Sequence, residues 1–303
     1  MIFSEVVIYD QENSVKEFLE GEKIEESHKF EYKEAIQEAL KHAKEFIKES
    51  SSSPVYPKVT FLGTGSSMPS KYRNVSSILI ETSPDSYMML DCGEGTVSQM
   101  VRSFGSEKTK NILQNLKCVY ISHMHADHHL GLISIIQMRE KILAESQNEK
   151  EKLKDLLHSF FETKPKDNKL YIISTDKIVP FLTYYHKKFE SLLTQCHFVK
   201  CERLILYNEM DLNTYEENST KKIQTLFPDE LSKMLNHIGL SEFYTSRAIH
   251  CPNAFCVSFR LNDGYKISYS GDTRPCEKFR EISTWGGSPD LLIHEVGAPM
   301  KIF

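Results

Sequence analysis

Residues 121–131 read ISHMHADHHLG, which puts four of the chain's twelve histidines and one aspartate between His123 and His129. The preceding "CVYIS" is an extended apolar run, so His123 and His125, two apart at its C-terminal end, project to the same side. Two imidazoles on one side of a strand end make half of a tetrahedral nitrogen site, with bonds of about 2.0–2.1 Å to a zinc ion. Asp127 and His128 follow where the chain must turn into the next helix, and they address a second position close by. A carboxylate beside an imidazole suits a borderline cation such as zinc. His129 lies beyond this H-x-H-x-D-H set and is assigned an outer, structural role.

Two later segments end in groups of the same kind. "RAIHCPNAF" presents His250 after a short apolar stretch, and "YKISYSGDT" presents Asp272 just past a strand. Taken alone, a Gly-Asp after a strand is ordinary turn chemistry. Taken with the cluster, His250 supplies a third ligand for one metal and Asp272 a carboxylate able to bridge both.

Outward from the cluster the chain reads as short strands divided by turns. "KVTFLG", "SSILIET", "SYMMLDCG", "LKCVYISH", "KLYIIST" and "DLLIHE" are apolar runs bounded by Gly, Ser, Pro or charged residues, the pattern of strands. "FCVSFRLNDGYKISYS" reads as a hairpin on an Asn-Asp-Gly turn. Helices are expected over "EGTVSQMVRSF", "LGLISIIQMREKIL" and "FLTYYHKKFESLL". The charge-rich "ESQNEKEKLKDLLHSFFETKPKDNK" is expected to be a solvated excursion. Residues 1–57 differ: Ile36, Leu40, Ala43 and Ile47 make one helical stripe, and "SSSSPVYP" then breaks it like a linker. The division is an N-terminal helical and linker segment, 1–57, and a domain from 58 to 303. Strands interleaved with helices and a hairpin indicate a layered α/β protein with mixed sheets, whose strand ends gather the polar clusters on one edge.

Composition narrows the classes. With 303 residues, 40% apolar and 11% aromatic, the chain can bury one large core or two modest ones, so disorder is not expected. Seven scattered cysteines form no C-x-x-C pair, which argues against a disulfide framework or zinc ribbon and for a reducing compartment. The N-terminus has no secretory pattern, and no run reaches the roughly 18 apolar residues of a membrane helix. A net charge of −5 gives no global pull on nucleic acid, so a phosphate ligand must be held by a local site.

The H-x-H-x-D-H set, the downstream His250 and the S-G-D at Asp272 resemble the metallo-β-lactamase fold, an αββα sandwich with a two-metal cleft at one edge. Lactonases, thioesterases and nucleases share that signature. The discriminating stretch lies upstream: "FLGTGSSMPSKYRNVSS" carries P-x-K-x-R-N at Pro69, Lys71, Arg73 and Asn74. Two cations on a turn, with an amide beside them, suit a polyanionic backbone. With "LDCGEGT", "SYSGDTRPC" and "LLIHE", this element is similar to ribonuclease Z, the endonuclease that removes 3′ trailers from tRNA precursors. The likeness spans about residues 58–295 and is to the carboxyl half of the long form. It implies that His123, His125 and His250 hold one zinc and that Asp127, His128 and the bridging Asp272 hold the other. It implies Asp127 as proton acceptor; Lys71, Arg73 and Asn74 as RNA contacts; and His294 and Glu295, the first two residues of an H-E-A-T motif, as supports. The implied substrate is precursor tRNA, cut to leave a 3′-hydroxyl on the tRNA and a 5′-phosphate on the trailer. The family has one further metal-binding histidine in an H-S-T segment beyond the H-E pair, whereas this chain ends at Phe303. The expectation is therefore a fold incomplete at its C-terminus and a second zinc short of one ligand. A partner is also expected, either a second copy or an amino-terminal half, in the nucleus, cytosol or mitochondrion. Two other classes remain open: a lactone or thioester hydrolase of the same fold, and a metal-deficient interaction protein.

Overall fold

Strand β3, Ser86–Cys92, shows why an unbroken apolar run becomes a central strand. Met88 and Leu90 enter one core while Tyr87 and Met89, pointing the other way, enter a second. A strand covered on both faces loses the apolar–polar alternation of a surface strand. A computed structural model describes residues 55–157, 169–190, 193, 196–206 and 228–295, and the side chains of 147–157 fall outside that description.

β3 belongs to a six-stranded sheet with β1 (Lys58–Gly63), β2 (Ser77–Ser83), β4 (Leu116–Tyr120), β5 (Leu170–Ser174) and β6 (Cys196–Lys200), in the order β1-β2-β3-β4-β5-β6. β1, β2 and β3 are antiparallel, and β3 to β6 are parallel. A second sheet, in the order β10-β9-β8-β7, comprises β7 (Leu240–Arg247), β8 (Phe255–Leu261), β9 (Lys266–Tyr269) and β10 (Leu291–Ile293). The sheets face each other across a core in which Phe255, Val257 and Phe259 meet Met88, Leu90 and Tyr120. Each such side chain contributes about 1.5–3 kcal/mol by leaving water. The Tyr120 hydroxyl donates to the Phe255 carbonyl at 2.7 Å, a bond from one sheet to the other.

Helices α1 (Thr96–Gln114), α2 (Ala126–His129), α3 (Leu132–Leu157), α4 (Ile178–Lys188), α5 (Pro228–Ile238) and α6 (Glu277–Thr284) complete the layers. α1, α3 and α4 bury Met100, Ile112, Leu132, Ile135 and Leu182 against the outer face of the first sheet. α6 lays Phe279 and Ile282 on the outer face of the second. The result is the expected αββα sandwich with mixed sheets.

Two helices run past their expected ends. α1 is interrupted just after Phe104, where Gly105 takes φ 75° and ψ 168°, and then resumes to Gln114. Glycine allows that kink without a Cβ clash. α3 continues beyond Leu143 to Leu157, so part of the charge-rich stretch is helical rather than an excursion. The expected helix over 36–47, residues 50–54 of its linker and the chain after Glu295 lie outside the described residues. No helix among them is long and apolar enough to cross a membrane.

Candidate metal centre

The centre sits where the first sheet's parallel strands and the end of β9 reach one edge. β4 stops at Tyr120, three residues before the first histidine, and the chain runs on extended to His125 (φ −73°, ψ 145°). Backbone bonds pin this segment to both sheets, Ile121 N to Ile173 O at 2.8 Å and Phe255 N to Ser122 O at 2.9 Å. The turn into α2 is closed by His128 N on His125 O at 3.0 Å. Gly131 N then donates to Cys92 O at 2.9 Å, and a Cβ at Gly131 would lie 2.1 Å from Gly93 O. That close approach requires glycine and brings the end of β3 against the cluster.

Six side chains converge in two overlapping groups. His125 Nδ1 lies 3.0 Å from His123 Nε2 and 3.1 Å from His250 Nε2, although His250 is 125 positions away. Asp272 Oδ2 is 3.9 Å from His123 Nε2 and 3.7 Å from His250 Nε2. Its other oxygen, Oδ1, lies 3.3 Å from His128 Nε2, which is 3.6 Å from Asp127 Oδ2. One aspartate thus presents one oxygen to each group. Donor atoms of a tetrahedral zinc with bonds of 2.0–2.1 Å stand about 3.3 Å apart, and these separations straddle that value. Imidazole and carboxylate are the donor types zinc takes, so the residues fit such an ion.

Hydrogen bonds behind the groups orient them. A carboxylate accepts only, so His128 Nδ1 donates to Asp91 Oδ2 at 2.7 Å and its Nε2 is turned toward the centre. Asp91, buried at the end of β3 with φ 56°, also accepts from Ser122 N at 2.7 Å, Ser122 Oγ at 2.8 Å and the Tyr269 hydroxyl at 2.6 Å. Ser122 Oγ has given its proton to Asp91, so it accepts from His123 Nδ1 at 3.0 Å, leaving His123 Nε2 to face inward as well. Such outer partners fix tautomer and ring direction. Asp127 Oδ2 accepts Ser67 N at 2.6 Å.

The electrostatics follow from burial and these neighbours. Burial alone would lower the His128 imidazolium, but Asp91 and Asp272 overcome it and push it up to about 11. For His123, burial and the charge of His128 outweigh the pull of Asp91 and Asp272 and push it down to about 4. Burial likewise raises Asp272, yet His128 outweighs it and holds the carboxyl at about 2. Surroundings negative enough to keep a proton on His128 also favour a cation.

The other expected residues lie around this core. His129 stays out of both groups: its Nδ1 bonds the His125 carbonyl at 2.8 Å and its ring packs edge-on to Phe181 at 5.3 Å. Glu295 accepts from Thr273 N, and its own N donates to Ser270 Oγ at 3.1 Å, bracing the turn that carries Asp272. His294 is exposed and bonds only its neighbour's carbonyl among the described residues, at 2.7 Å. Lys71 and Arg73 are exposed on a turn closed by Ser70 Oγ, which accepts from Arg73 N at 3.2 Å; the Lys71 ammonium lies 4.9 Å from the Tyr72 ring centre. The Ser67–Asp127 bond ties that loop to the centre. Asn74 turns its amide nitrogen inward, buried beside Gly95. Residue-by-residue reading missed Asp91, Ser122, Tyr269 and Cys251. Asp91 carried a signal, an aspartate closing the buried "SYMMLDCG" run. The Cys251 thiol shares a 4.8 Å neighbourhood with the nitrogens of His123, His125 and His250.

Residues 57–158 match the family model described as anti-Pycsar protein Apyc1. "Ribonuclease Z, mitochondrial" of Drosophila melanogaster is 34% identical over 260 residues, 84% of this chain and 28% of that protein. "Zinc phosphodiesterase ELAC protein 2" of Homo sapiens is 34% identical over 266 residues, 87% of this chain and 28% of its own. The chain spans 28% of the length of both curated relatives. Among solved structures, a long form RNase Z from yeast matches with a TM-score of 0.60 at 29% identity, covering 78% of this chain and 32% of that one.

Proposed function

This chain is a metallo-β-lactamase-fold relative of ribonuclease Z, and we propose that it is a zinc-dependent endoribonuclease that removes 3′ trailers from tRNA precursors. The observation that carries the reading is the position of Asp272, with one oxygen toward His123 and His250 and the other toward His128. We assign His123, His125, His250 and Asp272 to one zinc, and Asp127, His128 and the same Asp272 to a second. Bound there, the two ions would supply a water acidic enough to attack at neutral pH and positive charge for the phosphoryl oxygens.

The chain's own residues do the rest. Asp127, steadied by Ser67 N, takes the proton of the attacking water as general base. Lys71 and Arg73, exposed on the neighbouring loop, hold backbone phosphates; such contacts set the register of the RNA rather than read its sequence. Asp91 and Ser122 keep the Nε2 atoms of His128 and His123 aimed inward. The relatives' names favour a phosphodiester over a lactone or thioester. The fly relative's name favours the mitochondrion among the compartments already proposed, beside nucleus and cytosol.

The deciding experiment incubates the full chain with zinc and a 3′-extended tRNA precursor and maps the cut. A single cut after the discriminator nucleotide, leaving a 3′-hydroxyl, is expected. Scattered cuts, or hydrolysis of small esters alone, would sink the reading.

A further inference from the structure

Behind the metal centre, on the outer face of the second sheet, two cysteines meet that no step above uses. Cys256 is fully buried in β8, and Cys276 is half-buried at the N-terminus of α6, in the small cluster formed with Phe279 and Ile282. Cys276 packs against Cys256 in that cluster, beside Ser246 and Arg247 of β7, which pair with Cys256 and Phe255 of β8. The Cys276 thiol also donates to the Arg247 carbonyl at 3.4 Å, and the N–H groups of Lys278 and Phe279 in the first helical turn reach the same sulfur. Helix-end amides stabilise a thiolate. The neighbouring Cys256 thiol is the main cause that brings the Cys276 thiol down to about 6, while Cys276 and burial push Cys256 up. One sulfur is thus accessible and ionises easily, and the other is protected, protonated and adjacent. That is the asymmetry of an attacking and a resolving thiol.

The place matters because the turn between β9 and α6 carries Asp272. Thr273 Oγ1 accepts Ile249 N at 2.9 Å, and Arg274 N donates to Ile249 O at 3.1 Å, so this turn is bonded to the residue preceding His250. We propose that Cys276 and Cys256 form a redox site, oxidised by a peroxide to a disulfide that fastens the Asp272 turn to β8. The Cys276 thiolate attacks one peroxide oxygen, the O–O bond breaks, and the second oxygen leaves with a proton as water or an alcohol. The Cys256 sulfur then attacks the resulting sulfenic sulfur, and the hydroxyl departs with the Cys256 proton as water. Two thiols lose two protons and two electrons, and the peroxide is reduced by the same two.

The test treats the full chain with equimolar hydrogen peroxide, alkylates it without reduction and maps the peptides. A Cys256–Cys276 cross-linked pair is expected, with two fewer titratable thiols than the seven of the reduced chain and full recovery after dithiothreitol. Cys276→Ser, outside the buried core, is expected to fold with an unchanged circular dichroism spectrum and to leave Cys256 as a thiol. Alkylation of both cysteines after peroxide, a sulfinic acid on Cys276 with Cys256 still free, or a Cys256 disulfide persisting in Cys276→Ser would each overturn the assignment.

Discussion

The two halves of the metal centre are built differently. His128 and its partner Asp91 are buried, and Asp91 receives four hydrogen bonds from His128, Ser122 and Tyr269, elements of three different strand ends and turns. His125 and His250 are exposed, and no described hydrogen bond holds either ring except those that link the histidines to one another. The first half is aimed by the fold before any ion arrives. The second depends on the ion to pull its rings into place. Pre-orientation of this kind spares part of the ordering cost when a ligand binds.

Substitutions can break that contrast. The largest effect is expected from Asp91→Ala, which leaves a buried imidazolium and three further donors without their acceptor. A loss of about 3–5 kcal/mol of stability follows from stripping the partner from a buried charge, read by urea unfolding of the metal-free chain; an unchanged midpoint would mean the bracing is incidental. Asp127→Ala should fold normally and lower the cleavage rate by roughly 10²–10⁴-fold, the usual worth of a general base, measured under single-turnover conditions. If binding weakens while the rate holds, Asp127 serves only as a ligand. His250→Ala probes the open half. Its unfolding midpoint without metal should move by no more than about 0.5 kcal/mol, while zinc titration should reveal weaker binding than the about 10–100-fold cost of losing an outer partner. A large stability loss there would erase the distinction drawn between the halves. Lys71→Ala, beyond both, should weaken precursor binding evenly across sequences and reduce the slope of log K against log salt by about 1. A shifted cleavage position would instead give Lys71 a part in register.

Legibility in the sequence followed sequence distance. β1 coincides with "KVTFLG", and the β8–β9 hairpin turns at Asn-Asp-Gly as expected, because alternation and turn chemistry act over a few residues. The ends of α1 and α3 were misjudged. The helix expected to end at Phe104 runs on through Gly105, which serves as a kink, and charged residues solvate a helix face as readily as a loop. β7 and α5 were not anticipated at all; their apolar residues find meaning only in the core they share with β3 and β8.

What the sequence determined by itself was the chemistry available: imidazoles and carboxylates at strand ends, cations on one turn, and apolar runs long enough to bury the strands between them. Those are properties of single residues and short periods. Only the tertiary structure decided that Asp272 splits its oxygens between two groups, that Asp91 and Tyr269, 178 positions apart, share a bond, and that two cysteines meet behind the turn carrying Asp272. Such pairings are set by how two twisted sheets stack and where their edges coincide, and no local pattern encodes that distance.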